Sequence, residues 1–366
     1  MRKALVFVFL LCLTYPALTF AEDSADLKKT VDELKSRVEV IEAEKKDIDD
    51  KFTRLMDVSG YADSEYIISD KTGDYSKFRM HHLSIFFKKQ LSEQWRVFTE
   101  LEFEDGVFIE PASDGKSLKS SYGKLFLEVL SIEHLHSPYL NFTFGRFFTP
   151  AGIWNIDHYP PFVPTQDRPL QVRNIFPQLT DGVQVWGAAE VSNALVSYNL
   201  YTGNGEGNTG ASDGNEEKSL GARVKVKLPI LAKFELGTSF FKDEDNTDIR
   251  KRSYGADISL QWKTLRFQSE YAKAGLKGLV GKYAKRGFYS QLIYGVRNWD
   301  FIYRHDWYDP KSDKDHDGTT INTVALNYHF TPTIVGKAEH HMVSIEDPLG
   351  EDYNKTVLSI AIYLGE

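Results

Sequence analysis

The 366-residue chain contains one cysteine, Cys12, which lies within an apolar leader. Without that leader no thiol remains, so disulfides and thiolate metal sites are both excluded. An excess of basic charge is missing too. Lys and Arg number 44 against 52 Asp and Glu, a formal charge of −8. Losing Arg2 and Lys3 with the leader makes the chain more acidic still. That balance speaks against nucleic-acid binding. After the leader there is no apolar run long enough for a membrane helix. No Gly-x-Ser-x-Gly elbow accompanies the ten histidines, so the chain reads as a non-enzyme with no cofactor. The glycine-rich 203-GNGEGNTG-210 lacks the Lys-Ser/Thr of a phosphate loop and reads as a flexible connection.

Residues 1–21 have the pattern of a secretory signal peptide: Arg2 and Lys3, an apolar run from Ala4 to Leu18, then Thr19-Phe20-Ala21. Residues 22–56 form a distinct unit. Leu27, Val31, Leu34, Val38, Ile41, Ile48, Phe52 and Leu55 recur in steps of four and three, broken only by Lys45. This heptad seam predicts a periplasmic coiled coil, compatible with a trimer. The alternative is a single amphipathic helix.

From 57 to 366 the period changes to two. In 95-WRVFTELEFE-104, Trp95, Val97, Thr99, Leu101 and Phe103 share one face and Arg96, Glu100, Glu102 and Glu104 the other. In 223-RVKVKL-228, Val224, Val226 and Leu228 oppose Arg223, Lys225 and Lys227. About sixteen such segments follow, among them 122–131, 265–273 and 286–296. Their connections alternate long and short. Short ones include Lys263-Thr264, Arg297-Asn298 and Thr331-Pro332; long ones include 203–218, 243–252 and 308–318. A transmembrane antiparallel β-barrel has this asymmetry; a soluble sandwich has no reason for it. The expected fold is therefore all-β, an outer-membrane barrel of about 16 strands after an N-terminal helical coiled coil. Eighteen strands remain open if 165–176 adds a hairpin.

Energy assigns the faces. Lys or Arg on the lipid side costs about 2–4 kcal/mol at midplane, so charges belong inside. Arg79, Glu100, Lys225, Arg266, Glu270, Arg304, Lys337 and Glu339 are the candidate lumen wall. Charges of this density make a wet wall, and sixteen strands leave room for a channel.

The segment 149–180 is the third outside connection. Pro150, Pro160, Pro161, Pro164 and Pro169 stiffen it, while Trp154, Tyr159, Phe162 and Ile175 need a surface to pack on. It is expected to fold inward as a constriction, with Asp157, His158, Asp167, Arg168 and Arg173 facing the passage; the alternative is a cap over the mouth. Asp313, Asp315 and Asp317 match the start of a calcium loop, but Val324 stands where a bidentate Glu is needed. His81-His82 and His340-His341 alternate faces, so neither pair is expected to act jointly.

The stretch 301-FIYRHDWYDPKSDKDHDGTTINTVALNYHFTPTIVGKAEH-340 resembles the penultimate hairpin of the phosphate-selective porin O/P family. The stretch 78-FRMHHLSIFFKKQLSEQWRVFTELEFE-104 resembles an early hairpin of that family. Residues 144-FGRFFTPAGIWN-155 resemble the way it leads into its third loop, with Ala151 replacing an aromatic. The likeness spans most of 22–366. It implies a homotrimeric porin in the outer membrane of a Gram-negative bacterium, in contact with lipid and lipopolysaccharide. Its cargo would be small hydrophilic or anionic solutes diffusing passively. Phosphate selectivity is not implied, because 149–180 lacks a ladder of arginines. The alternative is a non-conducting anchor tethered to the cell wall through the coiled coil.

Overall fold

The computed structural model describes residues 28–29, 31–42, 56–111, 118–206, 216–229, 233–245, 248–278 and 281–365. It separates a unit Met1–Met56 from a unit Asp57–Glu366. In the first, residues 31–42 are helical, and Val31, Leu34, Val38 and Ile41 of the expected seam are exposed. The leader and the remaining heptads lie outside the described residues.

The second unit is a closed antiparallel barrel. Its first four strands are β1 (Asp57–Ser69), β2 (Lys77–Gln90), β3 (Trp95–Pro111) and β4 (Leu118–Ser137). β5 (Leu140–Phe148), β6 (Leu179–Val191), β7 (Ala194–Gly203) and β8 (Ser219–Leu228) follow. Next come β9 (Lys233–Glu244), β10 (Arg250–Trp262), β11 (Leu265–Gly278) and β12 (Gly281–Val296). β13 (Trp299–Asp309), β14 (Thr319–Thr331), β15 (Ile334–Ile345) and β16 (Tyr353–Leu364) complete the set. Each strand pairs with its chain neighbours, and β16 closes on β1 from Gly60↔Leu364 to Ser69↔Lys355. Closure leaves no strand edge unpaired. Sixteen strands form, and 165–176 yields only a short helix, Leu170–Asn174, where a hairpin would have raised the number.

Period-two patterning places the faces. Leu83, Val224, Leu236, Tyr254, Phe301 and Ile360 are exposed, while Glu100, Arg223, Asp257, Glu270, Arg304 and Lys337 are buried. In a closed barrel the buried, charged face is the enclosed one. Trp95, Trp262 and Trp299 stand exposed beside short turns, as interfacial aromatics do. At two of these turns Lys263 and Arg297 have φ of 54°, a left-handed turn geometry that matches strand twist.

Two hairpins are longer than their sequence suggested. β4 runs over Leu118–Ser137 rather than 122–131, and β11 and β12 continue to Gly278 and Gly281 rather than stopping near 273 and 286. Pairing continues with Ala274 opposite Lys285, Leu276 opposite Tyr283 and Gly278 opposite Gly281. Ala274 and Leu276 bury into an apolar cluster with Ile175 and Tyr308. That burial extends the ladder beyond the segments 265–273 and 286–296 read from the sequence.

Candidate functional site

The segment between β5 and β6 is bonded to most of the barrel's circumference. Thr149 Oγ1 and Thr180 Oγ1 meet at 2.8 Å at its base. Asn155 Nδ2 donates to the Thr149 and Gln178 carbonyls at 2.7 and 3.1 Å, bracing the first bend. The Trp154 amide donates to Glu270 Oε1 on β11 at 2.9 Å. Its indole ring packs with Val163 and Tyr289 and lies 5.8 Å from the Arg304 guanidinium. Gly152 has φ of +63°, and a Cβ there would meet Glu270 Oε2 at 1.9 Å. Only glycine fits this approach.

Further along, Tyr159 donates to Glu100 Oε2 on β3 at 3.2 Å. Lys337 Nζ on β15 donates to the Val163 carbonyl at 2.8 Å, and Asn327 on β14 to the Pro164 carbonyl at 2.8 Å. Arg304 bonds to Thr165 and to the Asp167 carbonyl. Gln166 reaches Glu339 and Asp63, and Asp167 pairs with Lys355 on β16. The prolines fix this path by removing amide donors and setting φ. The enclosed wall supplies the partners.

A cavity of about 420 Å³ lies between residues 152–157 and β7–β11. Arg223, Lys225, Lys233, Asp157, Glu235 and Asp257 supply its charges. Arg223 grips Asp257 through two bonds of 2.7 and 2.9 Å. Glu235 is shared by Lys225 at 3.3 Å and Lys227 at 3.4 Å. Arg223 is thereby neutralised in place, while Lys225 keeps a partly free ammonium.

The sequence-derived candidates are distributed unevenly. Asp157 lines this cavity; burial raises its pKa, Lys225 opposes that and Glu235 adds to it. His158 lies on the other side of the segment, 3% exposed. Burial and the charge of Arg168 hold it well below the usual histidine range. Asp167 titrates below the usual carboxylate range: burial raises it, but Lys355, His341 and Arg173 more than offset that. Arg173 is exposed, 3.8 Å from Asp167, and Arg168 is half-buried. The five therefore do not converge on one point. On the wall, Lys225 and Arg266 are substantially exposed, and Arg79 pairs with Glu65, Glu104 and Asp105. Glu100, Glu270, Arg304, Lys337 and Glu339 are buried against the segment. Asp313 and Asp315 stand exposed. The carboxylate clusters with metal-ligand spacing among the described residues lie elsewhere.

One expectation is overturned. His81 and His82 do not diverge. The β1–β2 register shifts between Asp63 and Ser64, with His82 opposite Asp63 and Met80 opposite Ser64. The extra residue turns both rings to the enclosed face, their centroids 3.5 Å apart. His82 Nδ1 lies 2.8 Å from Asp63, and His81 Nδ1 lies 3.3 Å from Asp63 and 2.8 Å from Glu65. His340 and His341 do separate, to Thr356 and Thr323 respectively.

Glu100, Glu102 and Glu128, of which Glu100 alone is a candidate wall residue from the sequence, are all buried and each offer an oxygen within 4.8 Å of the others. Two like charges about 4 Å apart repel by about 4 kcal/mol at an effective dielectric near 20. Among the described residues no Lys or Arg forms an ion pair with any of the three.

Among solved structures, an anion-selective porin from Comamonas acidovorans superimposes with a TM-score of 0.61 at 11% identity, over 84% of this chain and 99% of that one. OmpF of Salmonella typhi, in complex with daunomycin, gives 0.57 at 10%, over 84% and 97%. The fold is a porin barrel. OmpT, an outer membrane protein of Vibrio cholerae, likewise gives 0.56 at 11% identity, over 84% and 97% of the two chains. In sequence, a protein of Aquifex aeolicus (strain VF5), described only as uncharacterized, is 29% identical over 150 residues. The match covers 40% of this chain and about a third, 32%, of that protein. No protein-family profile matches the chain. The porin barrel is thus shared at identities where residue roles do not transfer, and the site rests on this chain's own geometry.

Proposed function

We propose that the chain is an outer-membrane porin, a passive diffusion channel for small hydrophilic solutes with a modest preference for anions. The observation that carries this reading is the enclosed charged face of a closed barrel whose opposite face exposes Leu, Val, Tyr and Phe. Such a surface is stable with lipid outside and water within. The segment 149–178 is read as entering the lumen, which its bonds to Glu100, Glu270, Lys337 and Lys355 support. The passage would then be what it leaves free, the cavity beside β7–β11, with Lys225 and Lys233 facing Asp157. Lipid and lipopolysaccharide would surround the barrel. The helical seam of 31–42 supports a homotrimer joined by a periplasmic coiled coil, and the porin O/P family is the proposed kinship.

A second reading is a plugged barrel that anchors the coiled coil to the cell wall. The density of bonds between the segment and the wall favours it. Swelling of vesicles containing the purified protein separates the two. Small sugars and small carboxylic acids should enter under the first reading, the acids faster than cations of equal size. Vesicles that stay osmotically tight despite folded, inserted protein would leave only the anchor.

A further inference from the structure

We propose that the enclosed wall holds a divalent metal ion of the Mn²⁺ or Zn²⁺ class between Glu100, Glu102 and Glu128, with His158 as the nitrogen ligand. The wall carboxylates are already held for the task. Tyr159 donates to Glu100 Oε2 at 3.2 Å, and Tyr61 to Glu102 Oε2 at 2.7 Å. Gln178 Nε2 donates to Glu128 Oε1 at 3.0 Å. Outer partners of this kind orient metal ligands. Glu100 Oε1 and Glu128 Oε2 remain buried with no hydrogen-bond partner.

The imidazole supplies the independent observation. His158 is 97% buried by its 3% exposure, and neither ring nitrogen has a hydrogen-bond partner. Its Nε2 points at the free oxygen of Glu128 from 3.8 Å. A histidine fixed in that state, against Phe148 at 4.5 Å, is set as a neutral nitrogen donor. Ligand atoms about 2.1 Å from a tetrahedral ion stand about 3.4 Å from one another. Carboxylate oxygens within 4.8 Å of one another would close by up to about 1.4 Å around the ion, a movement within the reach of side-chain rotation. Arg168 acts on Glu128 and His158 by its field, but the described residues give it no ion pair with them. Three oxygens and one imidazole suit Mn²⁺ or Zn²⁺ better than Mg²⁺, which favours all-oxygen shells. Because His158 comes from the segment after β5 and the carboxylates from β3 and β4, the ion would tie that segment to the wall.

The test uses full-length protein, purified in detergent with a tag free of histidine and stripped by chelator. Equilibrium dialysis with Mn²⁺, read by electron paramagnetic resonance, and with Zn²⁺ should give one ion per chain. Glu100→Gln and Glu128→Gln each should weaken binding at least tenfold. Both carboxamides keep the side-chain shape and lower the like charge, and unboiled-gel mobility verifies that each variant folds. His158→Ala should weaken Zn²⁺ binding at least tenfold, and unchanged binding would overturn its place as the nitrogen ligand. Absence of bound metal, or binding unchanged in both Gln variants, overturns the proposal. So does binding that survives them and disappears in His81→Ala/His82→Ala, which would put the ion at the neighbouring pair. Binding is read without transport, so the result is independent of the channel reading.

Discussion

The Trp154 amide and the Glu270 carboxylate, separated by 116 positions in the chain, meet at 2.9 Å. The same carboxylate accepts from the Tyr289 hydroxyl at 2.9 Å and blocks any Cβ at Gly152. Three constraints thus converge on one side chain.

Replacing Glu270 by Ala should therefore lower barrel stability by about 1–3 kcal/mol, because two buried donors lose their acceptor. Gly152→Ala alone should cost about 1–2 kcal/mol for the left-handed backbone and more for the clash. In the double variant the clash is gone, so the two costs should sum to less than their separate values. Urea midpoints of the lipid-embedded protein measure this cycle. Strict additivity would mean that the segment does not rest on Glu270.

Asp167 gives the segment an acid-sensitive clasp. Its carboxyl titrates lower in the folded chain than in the unfolded one, where about 3.9 is expected. Its stabilisation is then fully present above that value and disappears as pH falls through the folded one. Asp167→Asn should cost about 1 kcal/mol at neutral pH, given the partial exposure of the pair. The gap to the parent protein should close on acidification below about pH 4. Stability curves that stay parallel down to pH 2 would refute the clasp.

Charge in the passage is testable by reversal potential. Lys225→Glu with Lys233→Glu should move permeability toward cations, since both line the cavity opposite Asp157. Arg173→Glu should do less, because Arg173 lies by Asp167 rather than at the cavity. A larger shift from Arg173 than from the lysine pair would relocate the narrowing.

Much of this architecture was written in period two. Val224 and Lys225 sort to opposite faces because a strand allows nothing else, and sixteen such segments fixed the barrel. The segment 149–178 announced itself through prolines and through Trp154. Its partners were illegible because Glu270, Lys337 and Lys355 are brought to it by closure, far along the chain. The facing of His81 and His82 was misjudged for a local reason: one extra residue in β2 breaks the alternation on which parity arguments rest. A polar pair opposite Asp63 was the available signal. Glu102 sorts in the sequence with the charged face of 95–104 and nothing there marks Glu128, since only the β3–β4 register and its irregularity bring them to Glu100.

The most direct measurement is single-channel current across a planar bilayer, comparing the intact chain with one lacking residues 150–177. Diffusion through the barrel predicts discrete ohmic steps from the intact protein, and larger, less selective steps after the deletion. Folded protein that inserts yet passes no current in either form would contradict it.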